Sequence, residues 1–378
     1  MLVRIVSGLS IIAVFLVSGP VQADTTARET LGQALFFDVN LSLTRNQACG
    51  TCHEPGRAFT DGRSNDVQGA VSTGDDGQSL GDRNTPSIAY ANQSPDFYQN
   101  ELGEYVGGFF LDGRSATLIE QAGEPFLNPI EMAMPDRGAV VDRVQENAAY
   151  VDSMESIFGK KIFADDDAAF DAIVESIVAF ENTEMFSPFD SKYDRFLRGE
   201  YELTRDEELG RLFFYSQLVG CHNCHLTDNR ESASKELFTN HNYNNIGVPV
   251  NQSVRARNGI VATDTGLLEN PQVSDPAQAG KFRVPSLRNV AVTGPYMHNG
   301  VFQDLETAIL FYDKYLLVNQ DSSKNPETGE PWGDPEVVDT IDLDLLQQGQ
   351  PITAVRARLL AAFLRTLTDK RYEPLLEE

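Results

Sequence analysis

The chain has 378 residues and a formal net charge of −26, with 56 Asp and Glu against 30 Lys and Arg. So acidic a surface repels phosphate backbones and excludes nucleic acid as a partner, while favouring a basic or dipolar protein. Only 4 cysteines and 5 histidines are present, few enough to account for one by one.

The first residues set the compartment. Met1-Leu2-Val3-Arg4 carries a positive charge, an apolar run extends from Ile5 to Val17, and Val21-Gln22-Ala23 supplies small residues suited to cleavage. The run falls short of the roughly 20 apolar residues that cross a bilayer. Residues 1–23 therefore read as a secretory leader cleaved after Ala23, and the chain as an exported, periplasmic protein. No later stretch reaches spanning length, so the mature chain is not expected to cross a membrane.

Leu31-Gly32-Gln33-Ala34-Leu35-Phe36-Phe37 leads into Cys49-Gly50-Thr51-Cys52-His53, and Leu209-Gly210-Arg211-Leu212-Phe213-Phe214 leads into Cys221-His222-Asn223-Cys224-His225. In each motif two residues separate the cysteines and a histidine follows directly. That spacing lets both thiols form thioethers to haem vinyls while the adjacent imidazole meets the iron. Two such motifs use every cysteine, which rules against disulfides or zinc. Two covalent c-type haems are expected, on Cys49, Cys52 and His53 and on Cys221, Cys224 and His225.

Thr204-Arg205-Asp206-Glu207 opens the second copy of the repeat as a capping box, marking a helix. Each copy also closes with a helix, read from the spacing of Phe170, Ile173, Val174, Ile177 and Val178 and of Val355, Leu359, Leu360, Phe363 and Leu364. Period-2 strand patterns are scarce. The fold expected is mostly α, two tandem cytochrome c-type haem domains with long loops and little strand. Their bounds are placed at 24–189 and 190–378, with the break near Ser187-Pro188-Phe189-Asp190 and the next helix starting at Thr204. Of the remaining histidines, His222 sits inside a haem loop as a bystander. His241, in an Asn-rich loop, is expected to be solvated, with contact to a haem propionate as the alternative.

Further stretches carry a resemblance that covers nearly the whole mature chain. They are Gly113-Arg114 through Gln121-Ala122, Pro125, Asn128-Pro129-Ile130-Glu131-Met132, Phe282-Arg283-Val284-Pro285-Ser286-Leu287-Arg288-Asn289 and Thr293-Gly294-Pro295-Tyr296-Met297-His298. With the two haem motifs, these resemble the bacterial di-haem cytochrome c peroxidase/MauG family. The resemblance implies that the N-terminal haem meets hydrogen peroxide, that the C-terminal haem passes electrons, and that calcium lies between the domains. Asn84, Thr293 and Pro295 stand at the family's calcium contacts, and oxygen donors suit that hard cation. Glu131 matches the family's acid–base residue and Gln121, ten positions earlier, the amide beside it. His298 is expected to support the second haem's surroundings.

No histidine lies between His53 and His222, where many family peroxidases carry one that blocks the first iron. An open or water-ligated first haem is expected, with Met132 and Met134 as packing rather than ligands. Leu111 stands where family members commonly have a tryptophan between the haems, and the single tryptophan, Trp332, lies in a distant Pro/Gly loop. Fourteen residues after His298, where peroxidases place a methionine ligand to the second haem, the chain has Tyr312, as MauG-type members do. A phenolate is a hard anionic donor that favours ferric iron, whereas methionine raises the potential. Three functions follow in order: a peroxidase using a small cytochrome or cupredoxin as electron donor, a MauG-like oxidase modifying a protein substrate through high-valent haem iron, and a passive electron-transfer cytochrome.

Overall fold

The structure is a computed structural model that describes residues 20–226, 235–316 and 324–377. Residues 1–19 of the expected leader lie outside the described residues. Among those described, no helix is long and apolar enough to cross a membrane.

In the first half, α1 (Pro20–Phe36) precedes the short α2 (Cys49–Cys52), which carries the first haem motif. A long loop holds the two-residue strands β1 (Tyr98–Gln99) and β2 (Tyr105–Val106), and α3 (Leu118–Leu127), α4 (Arg137–Gln145), α5 (Ala148–Phe158) and α6 (Asp166–Glu181) follow. The second half contains α7 (Lys192–Leu197), α8 (Arg205–Phe214), β3 (Tyr243–Asn244), α9 (Gln252–Asn258), β4 (Phe282–Arg283), α10 (Leu305–Phe311), α11 (Leu343–Leu346) and α12 (Ala354–Arg365). Both sheets are antiparallel pairs, with Tyr98 opposite Val106 and Tyr243 opposite Arg283. The molecule is thus mostly helical with very little strand, as expected.

Local chemistry explains the long helices. Asp165 caps α6 through Ala168 N–H, Thr204 and Glu207 form the capping box of α8, and Thr353 caps α12. Several helices escaped the sequence reading, among them α4, α5 and α9; α7 begins before Thr204, on a Ser191/Asp194 capping box. Its six residues are too few to show a clear apolar period.

The repeated Leu-Gly pair marks two close helix crossings. α1 packs on α6 and α8 packs on α12. A Cβ added to Gly32 would fall on the Ser176 carbonyl, and one added to Gly210 would fall on the Leu359 carbonyl. Glycine lets the backbones touch there, and the aromatic residues behind it seal each pair. Phe36 meets Phe180 edge-on at 5.4 Å, and Phe214 meets Phe363 at 5.3 Å. One core runs through Leu31, Phe126, Phe170 and Phe186; another through Tyr193, Phe214, Phe238 and Phe363.

The halves are stitched by a loop of the first half lying on the β3–β4 strand pair of the second. Tyr243 Oη donates to the Gly107 carbonyl at 2.5 Å, Gly107 N–H to the His241 carbonyl at 3.0 Å, and Arg283 N–H to the Leu111 carbonyl at 2.8 Å. Arg83 adds a buried clamp, reaching Asp112 in its own half and Asp264 in the other. Gly210→Ala should force α8 off α12 and destabilise the protein by about 1–3 kcal/mol, the usual cost of overpacking a filled core. Thermal unfolding of the variant checks this; an unchanged midpoint would show that the crossing has room to spare.

Candidate functional site

Each haem motif forms one tight turn that turns its histidine inward. The first is α2, and the second is a 3₁₀ turn over Cys221–Asn223. None of the four cysteines is in a disulfide. The two histidines share one device. His53 Nδ1 lies 3.1 Å from the Phe59 carbonyl, and His225 Nδ1 lies 2.9 Å from the Phe238 carbonyl. Donation to a backbone carbonyl protonates Nδ1 and leaves the Nε2 lone pair free for a metal. Burial lowers the pKa of both imidazoles, that of His225 to about 4, so each stays neutral and able to ligate.

Sequence reasoning missed Phe59 and Phe238. Both are fully buried and both hold φ near 58°, a left-handed backbone uncommon for residues with a side chain. Their part is played by a carbonyl, so residue type gave no sign of it.

Cys221, Cys224 and His225 open onto a cavity of about 380 Å³ that Tyr312 also lines. Burial near both thiols pushes the Tyr312 hydroxyl above the ordinary phenol range. The cavity wall also holds His241, His298 and Arg283. His241 is not the solvated loop residue expected: it is buried, its Nδ1 has no hydrogen-bond partner, and burial lowers its pKa to about 4. The Asn-rich loop runs into β3 and is held against the first half, Gly107 N–H donating to the His241 carbonyl, and the local composition concealed this. Arg283 donates to the Phe110 carbonyl and the Ser94 hydroxyl and pairs with no acid among the described residues. A buried guanidinium without a carboxylate, beside an orphan imidazole nitrogen, suits a ligand that brings its own carboxylates. With paired thiols and a ligating imidazole, these residues fit a c-type haem.

At the first motif, Cys52 Sγ accepts from Gln47 at 3.0 Å and from Arg63 at 3.2 Å. Glu131 lies close enough to Cys49 for its charge to raise the thiol pKa. It occupies a turn after α3, bonded to Asn128 Nδ2 at 2.8 Å, and neither caps nor starts a helix. Burial raises its pKa, against the opposing pull of Arg114. Gln121 is half-buried on α3, one turn before Pro125, and the 131–134 segment folds back over that end of the helix through Met132 N–H to the Pro125 carbonyl. Met132 and Met134, each 3% exposed, belong to the core.

Asn84, Thr293 and Pro295 come together at a small cavity of about 10 Å³, also lined by Thr60, Asp61, Ser72 and Thr85. His298 stacks flat on Phe282 at 3.7 Å, and its carbonyl accepts from Asn84 N–H. His222 is held by Gln217 at 3.0 Å. Leu111 lines the large cavity from the first half. Trp332 is buried edge-on against Phe302 and Phe311 and does not line the large cavity.

Paired thiols and a carbonyl-held imidazole, occurring twice in one chain, define a di-haem c-type protein. The family described as di-haem cytochrome c peroxidase matches residues 26–202. The chain is 53% identical over 354 residues to the methylamine utilization protein MauG of Paracoccus denitrificans (strain Pd 1222), covering 93% of this chain and 91% of that one. It is also 27% identical over 301 residues to the cytochrome c peroxidase Ccp of Escherichia coli (strain K12), covering 79% and 56%. The diheme peroxidase BthA of Burkholderia thailandensis E264 is similar in structure, with a TM-score of 0.79 at 29% identity over 91% of this chain and 86% of that one. The chain therefore belongs to the di-haem cytochrome c peroxidase/MauG family of oxidoreductases. Membership implies two c-type haems. A pyridine haemochrome assay should return two haems per chain, and Cys49→Ser and Cys221→Ser should each lose stable attachment at one site. A single haem in the unaltered protein would contradict the site assignments.

Proposed function

We propose that the chain is a MauG-like di-haem oxidase that takes oxidising equivalents from hydrogen peroxide and uses them on a side chain of a partner protein. The observation that carries this reading is Tyr312, standing in the cavity of Cys221, Cys224 and His225 where an electron-transfer haem would have methionine. The 53% likeness to a MauG protein supports it over the peroxidase placed first on sequence grounds. That peroxidase, fed by a small cytochrome or cupredoxin, is the second reading, supported by the likeness to the Escherichia coli enzyme. A passive electron carrier would not need Glu131.

When bound, the two haems supply the oxidising chemistry. The chain's residues do the rest. In residues 24–189, the peroxide-reacting half, Cys49 and Cys52 tether and His53 ligates, while Gln121 offers an amide to the bound oxidant. Glu131 holds and releases the proton that peroxide cleavage moves, and its raised pKa keeps that proton available nearer neutrality. In residues 190–378, Cys221, Cys224 and His225 repeat the tether and ligand, and Tyr312 supplies the sixth ligand. Asn84, Thr293 and Pro295 hold calcium in the small oxygen-lined pocket between them. The 23-residue leader directs export to the periplasm.

Glu131→Gln should slow peroxide cleavage by roughly 10²–10⁴-fold, the usual scale of general acid–base catalysis. Its sign with pH is fixed: the carboxylate form grows as pH rises through a pKa above the ordinary glutamate value, so the unaltered rate should climb there and the variant's should not. Stopped-flow mixing with peroxide measures both, and turnover equal to the unaltered enzyme would make Glu131 structural.

Tyr312 predicts a second haem that is low-spin, of low reduction potential and without the far-red sulfur-to-iron band of His/Met ligation. Tyr312→Met should bring in that band, raise the potential and shift the enzyme toward oxidising small cytochromes. Optical spectroscopy with redox titration tests this. A sulfur-to-iron band in the unaltered protein, or fast steady-state oxidation of reduced cytochrome c, would favour the peroxidase instead.

A further inference from the structure

Tyr90 is 2% exposed, belongs to the first half, and lines the cavity of the second-half haem site. Its hydroxyl donates at 2.5 Å to Oδ1 of Asp369, which follows α12 in the second half and is 1% exposed. That length belongs to an O–H donating to an anionic oxygen. The other carboxylate oxygen accepts from Asn289 Nδ2 at 2.8 Å, and Asp369 N–H donates to Asn289 Oδ1 at 2.8 Å. Asp369 is thereby locked with one oxygen aimed at the phenol. Phe189 N–H donates to the same hydroxyl at 3.1 Å, fixing the direction of its proton. The Arg288 guanidinium lies 5.0 Å from the centre of the Tyr90 ring and is itself paired with Asp194.

The pair is also linked to the first haem site through two phenylalanines. Tyr90 N–H donates to the Phe186 carbonyl at 2.8 Å; Phe186 stacks on Phe59 at 4.3 Å; and the Phe59 carbonyl accepts from His53 Nδ1. A continuous packed path therefore runs from the first motif histidine to a tyrosine on the wall of the second cavity. It avoids Leu111 entirely.

We propose that Tyr90 is an oxidisable relay between the two haem sites, with Asp369 as its built-in proton acceptor. This rests on the peroxide-driven reading above only in needing peroxide as the oxidant. One electron leaves Tyr90 for the haem that hydrogen peroxide has oxidised. The phenolic O–H bond breaks, and its proton crosses to Asp369 Oδ1, where a new O–H bond forms. The products are a neutral phenoxyl radical and a neutral carboxyl group, so no cation is left on a ring sealed from water. Return of an electron from a substrate reverses both transfers. The carboxylate is essential because oxidising a buried phenol without removing its proton would leave an uncompensated charge.

The test is freeze-quench electron paramagnetic resonance of the two-haem protein after addition of hydrogen peroxide, with optical spectra of the same samples. An organic radical should appear whose hyperfine structure narrows in protein grown on ring-deuterated tyrosine, a comparison that needs no substitution. Tyr90→Phe should lose that signal, and Asp369→Asn should form it several-fold more slowly, each with both haems still bound. If the haem bands respond to peroxide but no deuterium-sensitive radical appears, or if it persists in Tyr90→Phe, the relay is overturned while the oxidase reading stands. Haem bands that ignore peroxide would overturn both.

Discussion

The hydrogen bond between each motif histidine and a phenylalanine carbonyl is the contact on which the rest of the architecture converges. A carbonyl can orient an imidazole only if its own peptide is immobile, and here immobility comes from the ring attached to it. Phe59 is wedged by stacking on Phe186, which packs in turn on Phe36 and Phe180. Phe238 is boxed by Tyr193, Phe214 and Phe363. Those partners belong to the helix pairs α1–α6 and α8–α12 and to their immediate flanks, and the pairs close because Gly32 and Gly210 let backbones meet. Glycine crossing, aromatic box, carbonyl and imidazole thus form one chain of support in each half. The unfavourable left-handed backbone at Phe59 and Phe238 persists because the surrounding core fixes it.

Much of this was legible in the sequence. The cysteine spacing, the capping box at Thr204 and the apolar spacing of residues 170–178 and 355–364 are local signals, and local signals survive folding intact. The Leu-Gly repeat was visible too, although its reason, contact with the carbonyls of Ser176 and Leu359, needs the partner helix. What stayed hidden depends on distant chain. His241 looks polar and solvated among asparagines, yet the loop containing it is pinned under residues 105–113 of the other half. Trp332, in a Pro/Gly stretch, is drawn into a small core with Phe302 and Phe311 because aromatic packing outweighs local composition. The carbonyls of Phe59 and Phe238 could not be read at all, since any residue supplies one.

The interface between the halves explains how a long-looped protein is held as one unit. Arg83 meets Asp112 and Asp264 almost out of water, where a single unpaired charge would be costly. Around it one side offers backbone carbonyls: those of Gly107, Leu111 and Gly113 accept from the Tyr243 hydroxyl, the Arg283 N–H and the Asn270 amide of the other. Backbone pairing tolerates a change of side chain, so Leu111 keeps the same peptide bond to Arg283 whichever residue occupies the position. Its replacement alters what lies at the cavity wall without altering how the halves join.

From one repeat, the chain builds two sites that differ in the groups set beside the same motif. Near the first thiols stands an acid, Glu131, raised by burial and only partly offset by Arg114. Such a group gains and loses its proton at a higher pH than an ordinary glutamate does. Around the second site the cavity wall mixes charges, Arg283 with the acids Asp264, Glu336 and Asp342, beside the neutral imidazole of His241 and the phenol of Tyr312. Burial keeps the Tyr312 phenol protonated. A metal cation held in the cavity would oppose that preference, since coordination stabilises a phenolate. The two sites therefore differ in what stands beside the same turn, a buried acid at the first and a buried phenol at the second. That division follows from burial and charge at a few positions, with the tether and the ligating histidine unchanged between the halves.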